Sequence, residues 1–236
     1  MDGKVTAIVL AAGQGKRMKS NVQKQYMMLQ GKPVLYYALH VFQTSPLINQ
    51  IILVTGEPEI EYCKKEVVDY FHFTKVVDII AGGAERYHSV SHGLNRISGE
   101  YEKGIVLIHD GARPFVTHQM INDSIETACQ CGACTVGMPV KDTIKVVDEE
   151  GYGIDTPDRK TMWQIQTPQT FQVEVIKKAH ECIKKVSDGN ITDDTMLVEK
   201  YCGKKVKVIE GSYQNIKITT PEDMILANAF LTNSIE

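Results

Sequence analysis

The chain has 236 residues, 43% of them hydrophobic, and a formal net charge of −3. That length suits a single α/β domain, so we predict one domain over residues 1–236. A weakly acidic chain has no overall basic field, which argues against nucleic acid or an anionic membrane surface as a partner.

The sequence also bears on the compartment. Nowhere do about 18 apolar residues follow one another, so no transmembrane helix is expected. Six cysteines are scattered along the chain, which is typical of a reduced, cytoplasmic protein. Cys131 and Cys134 form a C-x-x-C that closes a helical segment, and we interpret it as structural.

Short apolar, β-branched runs alternate with helical segments along the chain. This alternation predicts an α/β fold, with a Rossmann-like, mostly parallel sheet and helices on both faces. Oxygen-bearing caps followed by acids predict helix starts after Thr192 and at Pro221. The predicted strands span residues 5–10, 51–55, 76–80, 105–109, 135–138 and 206–209.

Residues 141–166 interrupt this alternation. The turn-rich residues 148–153 lie between stretches that mix polar and apolar side chains. We predict a β-arm that protrudes from the domain, because a long excursion in a compact domain is often a lid or a dimer contact. A solvated hairpin is the alternative.

Residues 10–18 form a glycine-rich turn directly after the first strand. Its glycines allow close approach of a ligand, and the amides that open the next helix suit phosphate. Met18 stands where a dinucleotide motif needs glycine or alanine, and Arg17 stands where a P-loop needs serine or threonine. Lys16, Arg17 and Lys24 instead supply charge suited to transfer at a nucleotide α-phosphorus. The alternative is a tight turn with solvated cations.

Asp110 and Arg113 follow the predicted strand 105–109. Ligands bind beyond the carboxyl ends of such strands, and Asp110 could hold Mg²⁺ against nucleotide phosphates. The alternative is an Asp–Arg pair that braces a turn. We interpret His109 as structural.

Two further segments point to the same edge. Gly82 and Gly83 form a second strand-to-helix glycine turn, which suggests a ligand lying across several loops, although two glycines alone are weak evidence. Residues 215–219 are predicted to form a short strand that places Lys217 near an α-phosphate or an attacking phosphate. A solvated edge lysine is the alternative.

Taken in order, these segments resemble the 2-C-methyl-D-erythritol 4-phosphate cytidylyltransferase family over nearly the whole chain. The matching segments are residues 10–18, 24–26, 82–90, 110–114, 139–145, 158–159, 163, 167–171, 192–194 and 215–219.

The resemblance implies a Mg²⁺-dependent enzyme that transfers CMP from CTP to methylerythritol 4-phosphate in isoprenoid precursor synthesis. It implies a homodimer in which the arm of residues 141–166 is exchanged, so that Arg159 serves the neighbouring site. The implied catalytic residues are Arg17 and Lys24, and those positioning the sugar phosphate are Arg159, Lys217, Thr143 and Thr167. The implied nucleotide-binding residues are Ala11, Ala12, Gly13, Gly15, Gly82, Gly83, Ser89, Asp110, Ala112 and Arg113, with Asp110 also at the metal.

Two positions depart from the family pattern. Gln23 stands where the family usually has proline before Lys-Gln-Tyr, and Gly111 stands where it often has alanine. Both changes add backbone freedom without removing a charged group.

Three alternative functions differ from this one in features that can be checked. A ribitol 5-phosphate cytidylyltransferase would share the fold and the nucleotide site, but residues 139–145 and Trp163 favour the methylerythritol enzyme. A non-catalytic nucleotide-binding or interaction protein would take up CTP without releasing pyrophosphate. A nicotinamide-dependent oxidoreductase is disfavoured by the missing third glycine.

Overall fold

A computed structural model describes residues 3–13, 18, 22–183 and 191–233. The strands are β1 (Val5–Ala11), β2 (Met28–Leu29), β3 (Lys32–Pro33), β4 (Gln50–Thr55), β5 (Val76–Ala81), β6 (Ile105–Asp110), β7 (Ala133–Pro139), β8 (Val146–Val147), β9 (Gly153–Asp155), β10 (Trp163–Gln172) and β11 (Lys207–Glu210). The α-helices are α1 (Val34–Thr44), α2 (Ile60–Tyr62), which continues as a π-helix (Cys63–Asp69), α3 (Arg86–Leu94), α4 (His118–Cys131), α5 (Val173–Ile183), α6 (Asp194–Cys202) and α7 (Pro221–Asn233). Short 3-10 turns occur at Lys24–Tyr26, Glu57–Glu59, Gly99–Tyr101 and Arg159–Thr161.

The central sheet of the described chain has seven strands in the order β11-β7-β10-β6-β1-β4-β5. Strands β6, β1, β4 and β5 are parallel to one another, and β11 is parallel to β7. Only β10 runs antiparallel to its neighbours within this sheet. The predicted Rossmann-like, mostly parallel sheet is confirmed, and each of the six strands predicted from apolar runs corresponds to an observed one.

Helices cover both faces of the sheet, as predicted. Side chains that alternate along a strand enter different cores: Ile105 and Leu107 of β6 pack with α1 and α4, whereas Val106 and Ile108 pack with α3, α5 and α6. Because both faces are buried, the central strands read as continuous apolar runs, which is why the sequence revealed them.

Strand β10 was missed in the sequence. It pairs with β6 and β7, so residues 163–166, which were predicted as part of the arm, belong to the central sheet. Its buried positions include Gln166, Thr167 and Gln169, which lack the apolar pattern of a core strand. Distant partners satisfy these groups; the amide of Gln169, for example, donates to Asp193 Oδ2 at 3.0 Å.

The predicted arm is a small two-stranded hairpin. Strands β8 and β9 pair with each other in a separate sheet, and their residues are exposed. The 3-10 turn Arg159–Thr161 then leads the chain back to β10.

Two helices begin where the capping residues predicted, with one correction to the cap. Helix α7 begins at Pro221 as expected, and Asp223 Oδ2 accepts hydrogen bonds from the amides of Thr219 and Thr220. Helix α6 is capped by Asp193, whose side chain accepts from Met196 N, and not by Thr192. No helix within the described ranges is both long enough and apolar enough to cross a membrane.

Candidate active site

Loops from distant parts of the chain line a pocket of about 570 Å³ at the carboxyl edge of the sheet. Those after β1, β5 and β6 supply most of its wall, and the turn Lys24–Tyr26 and the segment 215–219 each add a lysine. The lining residues are Leu10, Ala12, Gly13, Lys24, Gly83, Ala84, Glu85, Arg86, Ser89, Asp110, Ala112 and Lys217. The structure thus brings together residues that the sequence assigned to nucleotide, catalysis and metal.

The first glycine turn enters the pocket through Ala12 and Gly13. Ala11 lies just outside it as the last residue of β1, with its carbonyl accepting a 2.5 Å hydrogen bond from the amide of Gln25. Two predicted residues of this turn, Gly15 and the catalytic candidate Arg17, lie outside the described part of the chain.

The second glycine turn packs directly against the first. A Cβ atom on Gly82 would lie 2.5 Å from Cβ of Ala12, so a side chain at this position would force the two loops apart. The hydroxyl of Ser89 accepts a hydrogen bond from Gly83 N at 3.0 Å, which ties the turn to helix α3. Gly82 therefore supports the wall, while Gly83 and Ser89 line the pocket.

Asp110 is the centre of a cluster of charges. Lys217 Nζ lies 2.7 Å from Asp110 Oδ2, Arg86 Nε lies 3.4 Å from Oδ1, and Arg113 Nε lies 4.0 Å from Oδ2. Burial alone would raise the pKa of the Asp110 carboxyl, but the charges of Arg86, Lys217 and Arg113 hold the pKa well below its usual range. The carboxylate is therefore ionised near neutral pH.

Arg86 follows the second glycine turn and is a pocket residue that the sequence analysis missed. Its guanidinium reaches Asp194 Oδ2 at 2.6 Å as well as Asp110, and the Asp194 side chain is fully buried. Burial alone would lower the pKa of Arg86, but Asp194 and Asp110 raise it above its usual value. Its position at the start of α3 was a usable signal, whereas the pairing with Asp194, 108 residues away, was not readable from the sequence.

Arg113 braces the site from behind and does not line the pocket. Its side chain is 12% exposed, and Nη1 donates to the carbonyl of Asn215 at 2.8 Å. The turn-bracing alternative therefore describes Arg113 better than direct contact with a nucleotide in this structure.

The segment that carries Lys217 is not a strand, so this part of the sequence prediction was wrong. Isolated hydrogen bonds, and not the regular pairing of a strand, hold this segment. Ile218 N donates to Ala112 O at 2.8 Å, and Asn215 Nδ2 donates to Thr167 O at 2.9 Å. These bonds fix Lys217 at the same edge as Asp110, as expected.

Thr167 lies beneath Asp110 and not at the pocket surface. Its hydroxyl accepts from Asp110 N at 3.1 Å and lies 3.0 Å from His109 Nδ1, while His109 Nε2 lies 3.1 Å from Arg113 O. A carbonyl only accepts, so these partners assign the proton to Nε2. Burial lowers the pKa of His109 to about 4, which agrees with the predicted structural role.

The arm residues remain away from the pocket within one chain. Arg159 is exposed and donates through Nη1 to Lys141 O at 2.7 Å, and Thr143 is exposed as well. Neither residue lines the pocket, so one copy of the chain does not bring these two predicted residues to the site.

Comparison with known proteins agrees with this geometry. The model of the family described as IspD, 2-C-methyl-D-erythritol 4-phosphate cytidylyltransferase, matches residues 5–233. The chain belongs to the IspD family. The 2-C-methyl-D-erythritol 4-phosphate cytidylyltransferase of Lachnospira eligens is 53% identical over 96% of this chain and 98% of its own length. That of Caldanaerobacter subterraneus subsp. tengcongensis is 48% identical over the same shares.

Solved IspD structures share the fold. The 4-diphosphocytidyl-2C-methyl-D-erythritol synthase of Anaerococcus prevotii has a TM-score of 0.85 and 33% identity, covering 98% of this chain and 97% of that one. The Francisella tularensis IspD has a TM-score of 0.81 and 29% identity, covering 96% and 99%. The predicted family and enzyme class, a cytidylyltransferase, are confirmed.

Proposed function

We propose that this chain, as an IspD cytidylyltransferase, transfers CMP from CTP to 2-C-methyl-D-erythritol 4-phosphate in the pocket described above. The observation that carries the proposal is the joining of two glycine turns to a cluster of cations around Asp110 within one pocket. The glycine turns suit a nucleotide, and the cations suit the charge that develops during transfer.

The proposed reaction is an in-line attack on the α-phosphorus of CTP. An oxygen of the acceptor phosphate forms the new P–O bond, and the bond to the departing pyrophosphate breaks. A phosphate monoester is already ionised near neutral pH, so no general base is required. Lys24 and Arg17 would stabilise the transition state, and Lys217 would contact the α-phosphate or the attacking phosphate.

Mg²⁺ is the proposed metal, bound together with the triphosphate. The ionised carboxylate of Asp110 fits this role, although its closest partner in the structure is Lys217. Among the described residues, no group of three or more His, Cys, Asp or Glu side chains is placed to hold a metal. Phosphate oxygens would therefore supply most of the ligands, as Mg²⁺ often requires, and the ion would neutralise phosphate charge. Turnover that persists in excess EDTA would contradict this proposal.

The arm is proposed to complete the site of a second copy in a homodimer. Its hairpin leaves apolar side chains in solvent, including Tyr152 at 68% and Ile154 at 65% exposed. Contiguous exposed apolar residues are typical of an interaction surface. The same arrangement would carry Arg159 to the neighbouring pocket, and we propose that the rest of the chain acts as one domain.

A hybrid dimer tests the exchange directly. Arg159→Ala and Lys217→Ala chains carrying different tags are co-expressed, and the doubly tagged dimer is isolated. If Arg159 acts across the interface, one of the two sites is intact, and the hybrid should show about half of the wild-type turnover. A hybrid as inactive as both parents would place Arg159 in its own chain's site.

We propose a cytoplasmic location because the cysteines form no disulfides. All six are free, and Cys63 and Cys134 are buried, which suits a reducing compartment. Cell fractionation with an antibody against the chain tests this proposal.

The decisive assay measures pyrophosphate release from CTP, with methylerythritol 4-phosphate and ribitol 5-phosphate compared as acceptors. We expect release with the former. A preference for ribitol 5-phosphate would make that compound the assigned acceptor. No pyrophosphate release with either acceptor would favour a non-catalytic nucleotide-binding protein.

Lys24→Ala in the same assay tests the proposed catalytic role. Turnover should fall roughly 10²- to 10³-fold, because a charge that stabilises the transition state is lost. Lys65→Ala is the matched control, since its ammonium is exposed and pairs only with neighbouring Glu66 at 3.7 Å among the ion pairs described. Wild-type turnover in Lys24→Ala would contradict the assignment.

A further inference from the structure

The turn that carries Lys24 is held on both sides of the lysine by glutamine side chains. Gln25 is 2% exposed, and its amide nitrogen donates to the carbonyl of Ala11 and to Oε1 of Gln23, both at 2.5 Å. The amide nitrogen of Gln23 in turn donates to a carboxylate oxygen of Glu59. These contacts form one continuous chain of donors and acceptors, called here the glutamine relay.

The two ends of the glutamine relay lie at two different strands. Ala11 is the last residue of β1, directly before the pocket residues Ala12 and Gly13. Glu59 ends the 3-10 turn that follows β4. The relay therefore connects the start of the first glycine turn to the chain beyond the neighbouring strand, with Lys24 between its two glutamines.

Glu59 reaches Gln23 because the residue at position 56 is glycine. A Cβ atom on Gly56 would lie 2.0 Å from Glu59 Oε2, so any side chain there would displace the carboxylate. A hydrogen bond from an amide to a carboxylate is stronger than one between neutral groups. The outer end of the relay is thus its charge-assisted link.

The backbone conformation of Gln23 is one that proline could also adopt. Its φ of −63° and ψ of 139° are extended, and φ equals the value that a proline ring imposes. The hydrogen bonds of the Gln23 side chain therefore stabilise a φ angle that a proline ring at this position would fix covalently.

We infer that Gln23, through its links to Gln25 and Glu59, is a positioning residue that fixes Lys24 relative to the first glycine turn. The inference rests on the proposed catalytic role of Lys24. A lysine side chain has many rotamers, and an error of about 1 Å in the placement of a catalytic group can cost up to 10²-fold in rate. Fixing the backbone on both sides of Lys24 limits that error.

The first test is Gln23→Ala. The turnover number kcat should fall about tenfold, because the lysine is less well placed in the transition state. The KM for CTP should change less than about twofold, since ground-state binding is retained. The midpoint of thermal unfolding should fall by no more than about 4 °C, the effect of losing two hydrogen bonds that are only partly buried. Gln119→Ala is the control, because Gln119 makes an exposed amide-to-carboxylate bond with Asp123 on α4.

A rescue and a double-mutant cycle separate positioning from general stability. Gln23→Pro should recover most of the turnover lost in Gln23→Ala, because the ring restores the backbone angle without the amide. Glu59→Ala should lower kcat like Gln23→Ala, and the double variant should be no worse than the worse single variant, since both remove the same link.

The outcomes are distinguishable. Wild-type kcat in Gln23→Ala, a Gln23→Pro variant no faster than Gln23→Ala, or fully multiplicative losses in the double variant would each overturn the inference. Lys24→Ala is measured in parallel. If it loses turnover while Gln23→Ala does not, only the relay fails; if it keeps turnover, the proposed role of the lysine fails.

Discussion

The pocket edge and the arm use the same residue types in opposite ways. At the pocket edge, Arg86 and Lys217 contact a carboxylate whose side chain is only 11% exposed. On the arm, Lys145 donates to the exposed Thr156 hydroxyl at 2.6 Å, and Arg159 donates to a backbone carbonyl. Charges at a buried site interact strongly and are fixed before substrate arrives, whereas exposed contacts are weak and easily exchanged. This difference keeps the pocket edge fixed, and it is compatible with the proposed role of the arm in meeting another copy.

Asp110→Asn should give the largest effect, on both activity and stability. Turnover should fall roughly 10³-fold, and the free energy of unfolding should fall by about 3 kcal/mol, because the cations around Asp110 lose a buried counter-charge. Asp155→Asn on the arm is the control and should leave the free energy of unfolding nearly unchanged. Steady-state assays measure the turnover, and urea unfolding measures the free energy of unfolding. Unchanged stability in Asp110→Asn would mean that the pocket edge is no more tightly held than the arm.

Lys217→Ala should give the next largest effect, larger on activity than on stability, because Arg86 and Arg113 remain beside Asp110. Turnover should fall about 10²-fold, because the variant removes a cation that is proposed to face the reacting phosphates. Lys145→Ala removes the same side chain from the arm, where it contacts Thr156, and should retain most of the turnover. Similar losses in the two variants would remove the distinction between the regions.

The smallest effect concerns pH and belongs to the buried layer behind the pocket. Burial lowers the pKa of His109 to about 4, so between about pH 6.5 and 4 the unfolded chain binds a proton at this residue that the folded chain does not. Its contribution to stability is complete above pH 6.5 and is lost as the pH falls through this window, by up to about 1.4 kcal/mol per pH unit.

Urea unfolding at pH 7, 6 and 5 measures this slope. His109→Gln should have a flatter slope than the wild type, even if it is less stable at every pH. His72→Gln, which removes a histidine from an exposed turn, is the matched control. An unchanged slope in His109→Gln would show that the buried histidine does not bind its proton differently in the folded state.

Strand β10 shows where sequence reading reached its limit in the fold. Apolar runs revealed β1, β4, β5, β6, β7 and β11. The pattern is clearest in β1, β4, β6 and β7, whose residues are almost all buried because both faces of the sheet are covered. In β10, Gln166 and Gln169 are buried but polar. The carbonyl of Ser212 and the carboxylate of Asp193 accept their hydrogen bonds, and these partners lie 46 and 24 residues away. The hydrophobic periodicity of a segment contains no information about such distant hydrogen-bond partners.

The candidate site shows the same division. The sequence pointed to the carboxyl edge of the sheet for both Asp110 and Lys217, and the structure brings them within 2.7 Å of each other there. The role of Asp194 was missed, because acids at a helix start also serve as caps and favourable dipole partners. Only the fold shows that Asp193 caps α6 while Asp194 turns inward to Arg86.

The sequence by itself determined the α/β class, the family, both glycine turns and the residue types at the pocket, because these depend on local pattern and on ordered motifs. The tertiary structure alone decided that Arg113 and Thr167 lie behind Asp110, that Arg86 joins two carboxylates, and which partners hold Gln23. The physical reason is that burial and pairing arise between segments far apart in the chain. No local pattern encodes which distant group will satisfy a buried charge or amide.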